Sequence, residues 1–211
     1  MNWDYIRDPK LIYDQSFEII RMETDLSKFP KDIAEIVVRL IHACGMPDIV
    51  DDIIYSPNVL TSARDALKLG APILCDVRMV SEGIIKSLLP TNNQVLCWNK
   101  HPECSPLASK MGTTLSAASV EFWRPHLAGS IVAIGNAPTT LFRLLEILAD
   151  GADPPAVIFG FPVGFVGAVE SKELLVNQCR KNIPFMTLSK RRGGSAMASA
   201  VVNATAKLSL V

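Results

Sequence analysis

The chain has 211 residues, 49% of them hydrophobic but only 7% aromatic, and its 21 basic side chains equal its 21 acidic ones. That length suffices for one domain with a substantial core, and the neutral balance excludes a surface that holds nucleic acid or an anionic membrane by bulk charge. The most apolar window, 154–169, is shorter than a spanning helix and is interrupted by prolines and glycines, so no membrane segment is expected.

The charged start MNWDYIRDPK lacks an apolar run after it, so no secretory signal is expected. Two helices follow, at roughly 12–26 and 30–44, with Pro30 placed to open the second. At 100° per residue, Ile33, Ile36, Val37, Leu40, Ile41 and Cys44 gather on one side of the second helix, while Lys31, Glu35, Arg39 and His42 fall opposite. His42 is therefore expected outside the core. An outer face of this kind is an ordinary wet surface unless something else draws a ligand to it.

Six strand-like runs then recur, at 51–56, 71–76, 94–99, 130–136, 156–162 and 184–189. Helical patterns fill most of the gaps, at 57–70, 106–123, 137–151 and 167–182, and a last one runs over 195–208. Alternation of strand and helix predicts parallel pairing with right-handed crossovers, hence an α/β doubly wound, mainly parallel sheet of five or six strands preceded by a helix pair. No linker or repeat divides the chain, so one domain over 1–211 is expected.

Three loops at carboxyl ends of strands invite a ligand. AIGNAPTT (133–140) and GFPVGFVGAVESK (160–172) supply glycines, but neither contains G-x-G-x-x-G nor a Gly-Lys-Ser/Thr order, so nucleotide readings are weak. SKRRGGSAMA (189–198) places Lys190, Arg191 and Arg192 before Gly193, Gly194 and a capping Ser195. Guanidinium forks, glycine N–H groups and a helix start make a receptor for carboxylate or phosphate.

Cys97, His101 and Cys104 form a C-x3-H-x2-C spacing, yet three ligands fall short of a structural zinc site, and no metal is expected. The five cysteines, Cys44, Cys75, Cys97, Cys104 and Cys179, contain no CxxC pair, which suits reduced thiols in a cytoplasmic protein.

Six strings taken together, DPKLIYDQSFEIIRMETDL, RLIHACGM, ARDALKLGAPILCDVRMVSEGI, VAIGNAPTTLFRLLE, FPVGFVGAVESKELL and RRGGSAMASAVVNA, resemble the precorrin-8X methylmutase family of corrin biosynthesis. The resemblance runs from about Asp8 to Asn203. It implies a flavodoxin-like subunit, a homodimer with an anionic tetrapyrrole near the subunit interface, and an isomerisation that uses no cofactor. In that reaction a methyl group moves between neighbouring carbons at ring C, drawn as a sigmatropic shift that turns precorrin-8X, or its cobalt-containing equivalent, into the corrin product. The family's catalytic histidine falls on His42, and its substrate contacts fall on Arg39 and Ser16; Arg191 and Arg192 supply further local cations for a ligand with many carboxylate arms. Members usually carry an arginine where Leu115 stands, and its absence removes a carboxylate partner that Lys110 or Arg124 would have to replace. Two other readings compete: a corrinoid-binding protein of the same fold without catalysis, and a flavodoxin-like enzyme holding a phosphorylated cofactor on KRRGGS and GNAPT.

Overall fold

A computed structural model describes residues 3–179 and 182–210. The first helix, α1 (Pro9–Glu23), starts three residues earlier than its apolar period suggests, because the Asp8 carboxylate caps it by accepting from Lys10 and Leu11 N–H groups at 2.8 and 3.0 Å. Helix α2 (Lys31–Cys44) ends where Gly45 adopts φ 69° and donates its N–H to Ile41 at 2.7 Å. Arg21 of α1 grips Glu35 of α2 with contacts of 2.9 and 2.8 Å, which fixes the helix pair.

Six strands follow: β1 (Ile53–Tyr55), β2 (Ile73–Cys75), β3 (Val95–Leu96), β4 (Ile131–Ile134), β5 (Val157–Gly160) and β6 (Phe185–Leu188). They lie in the order β1-β6-β5-β4-β2-β3. The last five are parallel and run β3-β2-β4-β5-β6, the flavodoxin-like order, with the topological switch between β2 and β4. Strand β1 makes the sheet mainly rather than wholly parallel, as expected for the sheet as a whole, though the sequence did not single out this strand. It lies antiparallel on the β6 edge, with Ile53 against Leu188 and Tyr55 against Met186, as the edge strand of a mixed sheet often does.

Successive side chains along each strand enter opposite cores. Ile73, Cys75, Ile131, Ala133, Val157 and Phe159 face one cluster with α2, α3 (Val59–Lys68) and α10 (Ser195–Ser209). Leu74, Val132, Ile134, Ile158 and Phe185 face the other, with Trp123, α8 (Pro138–Ala149) and α9 (Ala168–Cys179). Helix α10 packs on β4 and β5, α2 packs on α10, and α1 packs on α2, so the helix pair forms an outer layer on one face. Val38 joins the buried side of α2, because α10 covers more of α2 than a single stripe.

Several boundaries differ from the sequence reading. The helix expected over 106–123 is three pieces: α5 (Cys104–Met111) ends at Gly112 in the left-handed region (φ 62°), α6 (Leu115–Ala118) restarts under the Thr114 hydroxyl, and a 3-10 turn leads to α7 (Arg124–Leu127). Helix α4 (Arg78–Gly83) stands where no element was expected. The strand expected over 94–99 keeps only two residues in the ladder, since the chain turns back with His101 N–H donating to Trp98 at 2.8 Å. The end of the helix expected over 167–182 includes residues 180 and 181, which lie outside the described residues. No helix among the described residues is long and apolar enough to cross a membrane.

Candidate active site

The exposed face of α2 meets α1 at a small aromatic cluster. Ser16 Oγ lies 2.9 Å from His42 Nδ1. Tyr13 and Phe17 flank the imidazole at centroid distances of 5.2 and 5.3 Å, Phe17 edge-on. Arg39, one turn before His42, places its guanidinium carbon 5.1 Å over the Phe17 ring. The spacing of Tyr13, Ser16 and Phe17 follows from α1, where residues three and four apart share a face.

Two open grooves share His42. One, of about 390 Å³, runs between α1 and the end of α2 past Ile12, Ser16, Ile19 and Gly45. The other, of about 280 Å³, runs between Tyr13, Arg39 and the outer side of α10. Three of the expected site residues, Ser16, Arg39 and His42, therefore come together. The imidazole is exposed. With Ser16 on Nδ1, Nε2 is the ring nitrogen left for a ligand, which suits proton transfer to a group lying over the helices.

Arg191 and Arg192 line neither groove. Arg192 Nη1 lies 2.6 Å from Asp48, and Lys190 Nζ lies 2.7 Å from Asp52, so two of the three cations in the run are matched by carboxylates of one 3-10 turn, Pro47–Asp52. Burial works against ionisation of Asp52, but hydrogen bonds from Lys190 and Ser189 outweigh it and hold its carboxyl below the usual range. Arg191 instead stacks on Phe165, 5.3 Å from the ring centroid. The Gly194 N–H, expected to be free for an anion, donates to Phe161 at 2.9 Å, and Gly194 rather than Ser195 occupies the cap of α10. Buried Lys172 completes this clasp by donating to the Arg192 carbonyl at 2.7 Å.

The switch point is occupied from within. Asp76, fully buried at the end of β2, accepts from the N–H groups of Gly135, Asn136 and Ala137 at 3.0, 2.8 and 3.0 Å. Burial pushes its carboxyl up, against the pull of these donors. The nest that a cofactor phosphate would use thus already holds an anion, which argues against the phosphorylated-cofactor reading. Sequence reading missed Asp76, whose role depends on a loop about sixty residues away.

Leu115 is about half exposed beside the Thr114 cap. Of its proposed substitutes, Arg124 is engaged by Glu121 at 2.7 Å, whereas Lys110 takes part in no ion pair among the described residues. Cys97, His101 and Cys104 each have their own local partner: Asn99, the Glu103 N–H and the Trp98 carbonyl.

Fold and site together define a flavodoxin-like α/β protein that presents an imidazole, a hydroxyl and a guanidinium from its outer helices. A family model described as precorrin-8X methylmutase matches residues 11–208, and the chain belongs to that family of isomerases. It is 54% identical to the precorrin-8X methylmutase of Pseudomonas aeruginosa over 96% of this chain and 97% of that protein. The Sinorhizobium precorrin-8X methylmutase is 50% identical over 97% of both. The cobalt-precorrin-8 methylmutase of Methanocaldococcus jannaschii is 31% identical over 93% of this chain and 92% of that one. The crystal structure of Thermus thermophilus precorrin-8X methylmutase superposes with a TM-score of 0.85 at 32% identity, covering 95% of this chain and 96% of that chain.

Proposed function

We propose that this protein isomerises precorrin-8X by moving a methyl group at ring C of the macrocycle, with His42 as general acid. The observation that carries the reading is the exposed His42 imidazole, held by Ser16 at 2.9 Å and shared by two grooves. Identities of 54% and 50% with relatives named for precorrin-8X, against 31% with one named for cobalt-precorrin-8, favour the cobalt-free substrate.

Chemically, His42 Nε2–H donates its proton to the conjugated system at or near ring C. Protonation draws electron density from the bond to the migrating methyl; that bond breaks as a new one forms at the adjacent carbon. The proton then returns to His42, so the sum is an isomerisation with no external reactant. General-acid help of this kind contributes about 10²–10⁴ in rate, and positioning of the ring plane supplies the remainder. Arg39 receives a carboxylate arm and orients the disc, with its own guanidinium steadied on Phe17.

The reading includes a homodimer. Helix α1 leaves Leu11, Ile12, Tyr13, Ile19 and Met22 exposed, and Trp3, Tyr5 and Ile6 before it are exposed too. A second copy laid over this apolar row would remove it from water and wall the groove beside His42. Purified protein mixed with precorrin-8X, followed by visible spectroscopy, tests the activity: appearance of the product spectrum supports it, and an unchanged spectrum refutes it.

A further inference from the structure

Helix α10 is a buried helix with one open stripe. Ten of its 15 residues are buried, but Ala196, Ala200, Asn203 and Lys207 recur at helical spacing on the side left uncovered. Three of these four, Ala200, Asn203 and Lys207, line the same groove as Tyr13, Arg39 and His42. The two alanines leave room above the helix. Lys207 is the only charged residue in SAMASAVVNATAKLS, and it lies on that stripe.

The charge pattern of the groove is one-sided. Arg39, His42 and Lys207 line it, and no aspartate or glutamate does. Neither Arg39 nor Lys207 takes part in an ion pair among the described residues. The wall is held in place as well: Asn203 donates to the Gly83 carbonyl at 2.9 Å and accepts from the Ile85 N–H at 2.8 Å, pinning the segment that brings Ile85 and Leu88 to the groove. Two cations with no carboxylate partner among the described residues, beside one imidazole and over a floor of small side chains, form a receptor for a flat ligand with carboxylate arms.

We propose that Lys207 is a substrate-binding residue, its ammonium receiving a second carboxylate arm of the ligand that Arg39 and His42 hold. This rests on the reading of the groove as the substrate site. A purely structural alternative exists: a lysine in the last turn of a helix complements the helix dipole whether or not a ligand binds.

The test uses full-length protein and precorrin-8X, comparing Lys207→Met, Lys207→Arg and Arg39→Ala. The expected result for Lys207→Met is a KM about tenfold or more above wild type, with kcat within about threefold, since the variant lacks a charge-assisted hydrogen bond that ground and transition states share. Lys207→Arg should recover most of the affinity, and added salt should weaken wild type more than Lys207→Met. A lower unfolding temperature for Lys207→Met with an unchanged KM would assign the residue to the helix end and overturn the proposal. If Arg39→Ala raises KM while Lys207→Met does not, the groove stands and Lys207 drops out of it. If neither variant raises KM, the substrate binds elsewhere and both readings fall.

Discussion

Ser16 Oγ and His42 Nδ1 lie 2.9 Å apart although 26 residues separate them, so a hydroxyl of α1 fixes the ring orientation of an imidazole on α2. The hydrogen bond consumes one ring nitrogen and leaves the other facing the grooves. Replacing His42 by Ala should lower kcat by about 10²–10⁴ while ligand binding persists. Because the side chain is exposed, the unfolding temperature should hardly move. Ser16→Ala should cost less, roughly tenfold in kcat, through poorer orientation of the ring. Stopped-flow spectra of both variants decide the matter, and full turnover without the imidazole removes it from the mechanism.

Arg39 is half-buried, with its guanidinium on Phe17 rather than on a carboxylate. Arg39→Ala should weaken precorrin-8X binding at least about tenfold, as expected for a charged hydrogen bond. The cation–π interaction with Phe17, which the alanine cannot make, is worth only about 0.5–1 kcal/mol, so the fold should survive. Circular dichroism and a binding titration check the two halves. An unfolded variant would make Arg39 a structural residue.

Asp76 anchors the loop between β4 and α8 with three N–H bonds in a fully buried setting. Asp76→Ala strands those donors and should cost about 3 kcal/mol or more by denaturant unfolding. The variant should also gain what wild type lacks: stabilisation by added formate, whose carboxylate matches the group removed. Equal formate responses in the two proteins would show that the nest is not an anion site.

Lys172 carries a pH signature. Burial lowers its ammonium to about 8, against a partial upward pull from Asp52, whereas in the unfolded chain it titrates at about 10.4. Between those values the unfolded state holds more protons, so this group's contribution to stability rises with pH from about 8 to about 10. Buried thiols act in the opposite sense, because burial raises Cys44, Cys75, Cys97, Cys104 and Cys179. The comparison is therefore with Lys172→Met, which keeps the thiols. Over that window wild type should gain on the variant by on the order of 2 kcal/mol; a constant difference would place the ammonium in water.

The sequence made the sheet and the outward aim of His42 legible because both follow from local period: runs of Val, Ile and Leu for strands, and 100° steps for α2. It did not show the antiparallel β1, since direction in the sheet depends on which edge a strand reaches. The break at Gly112 was readable in principle, as glycine followed by Thr114 is a stop and a restart, but the apolar residues on either side mimic one continuous helix. Among candidate site residues, Arg39 and His42 share a face by period, whereas Ser16 is indicated only by the family resemblance, and the three meet at one helix–helix junction. Arg192 and Lys190 looked like ligand cations because their partners, Asp48 and Asp52, lie about 140 residues earlier in the chain. Lys207 carried no local signal at all, its meaning arising only when α10 is laid beside α2.

Both borders of the sheet are short, three residues in β1 and two in β3. So little unpaired backbone is a poor seed for cross-β stacking of one chain on another. Self-association of this protein is thus left to side-chain surfaces on its helices, which can separate again, and material refolded at high concentration should stay clear of fibrils.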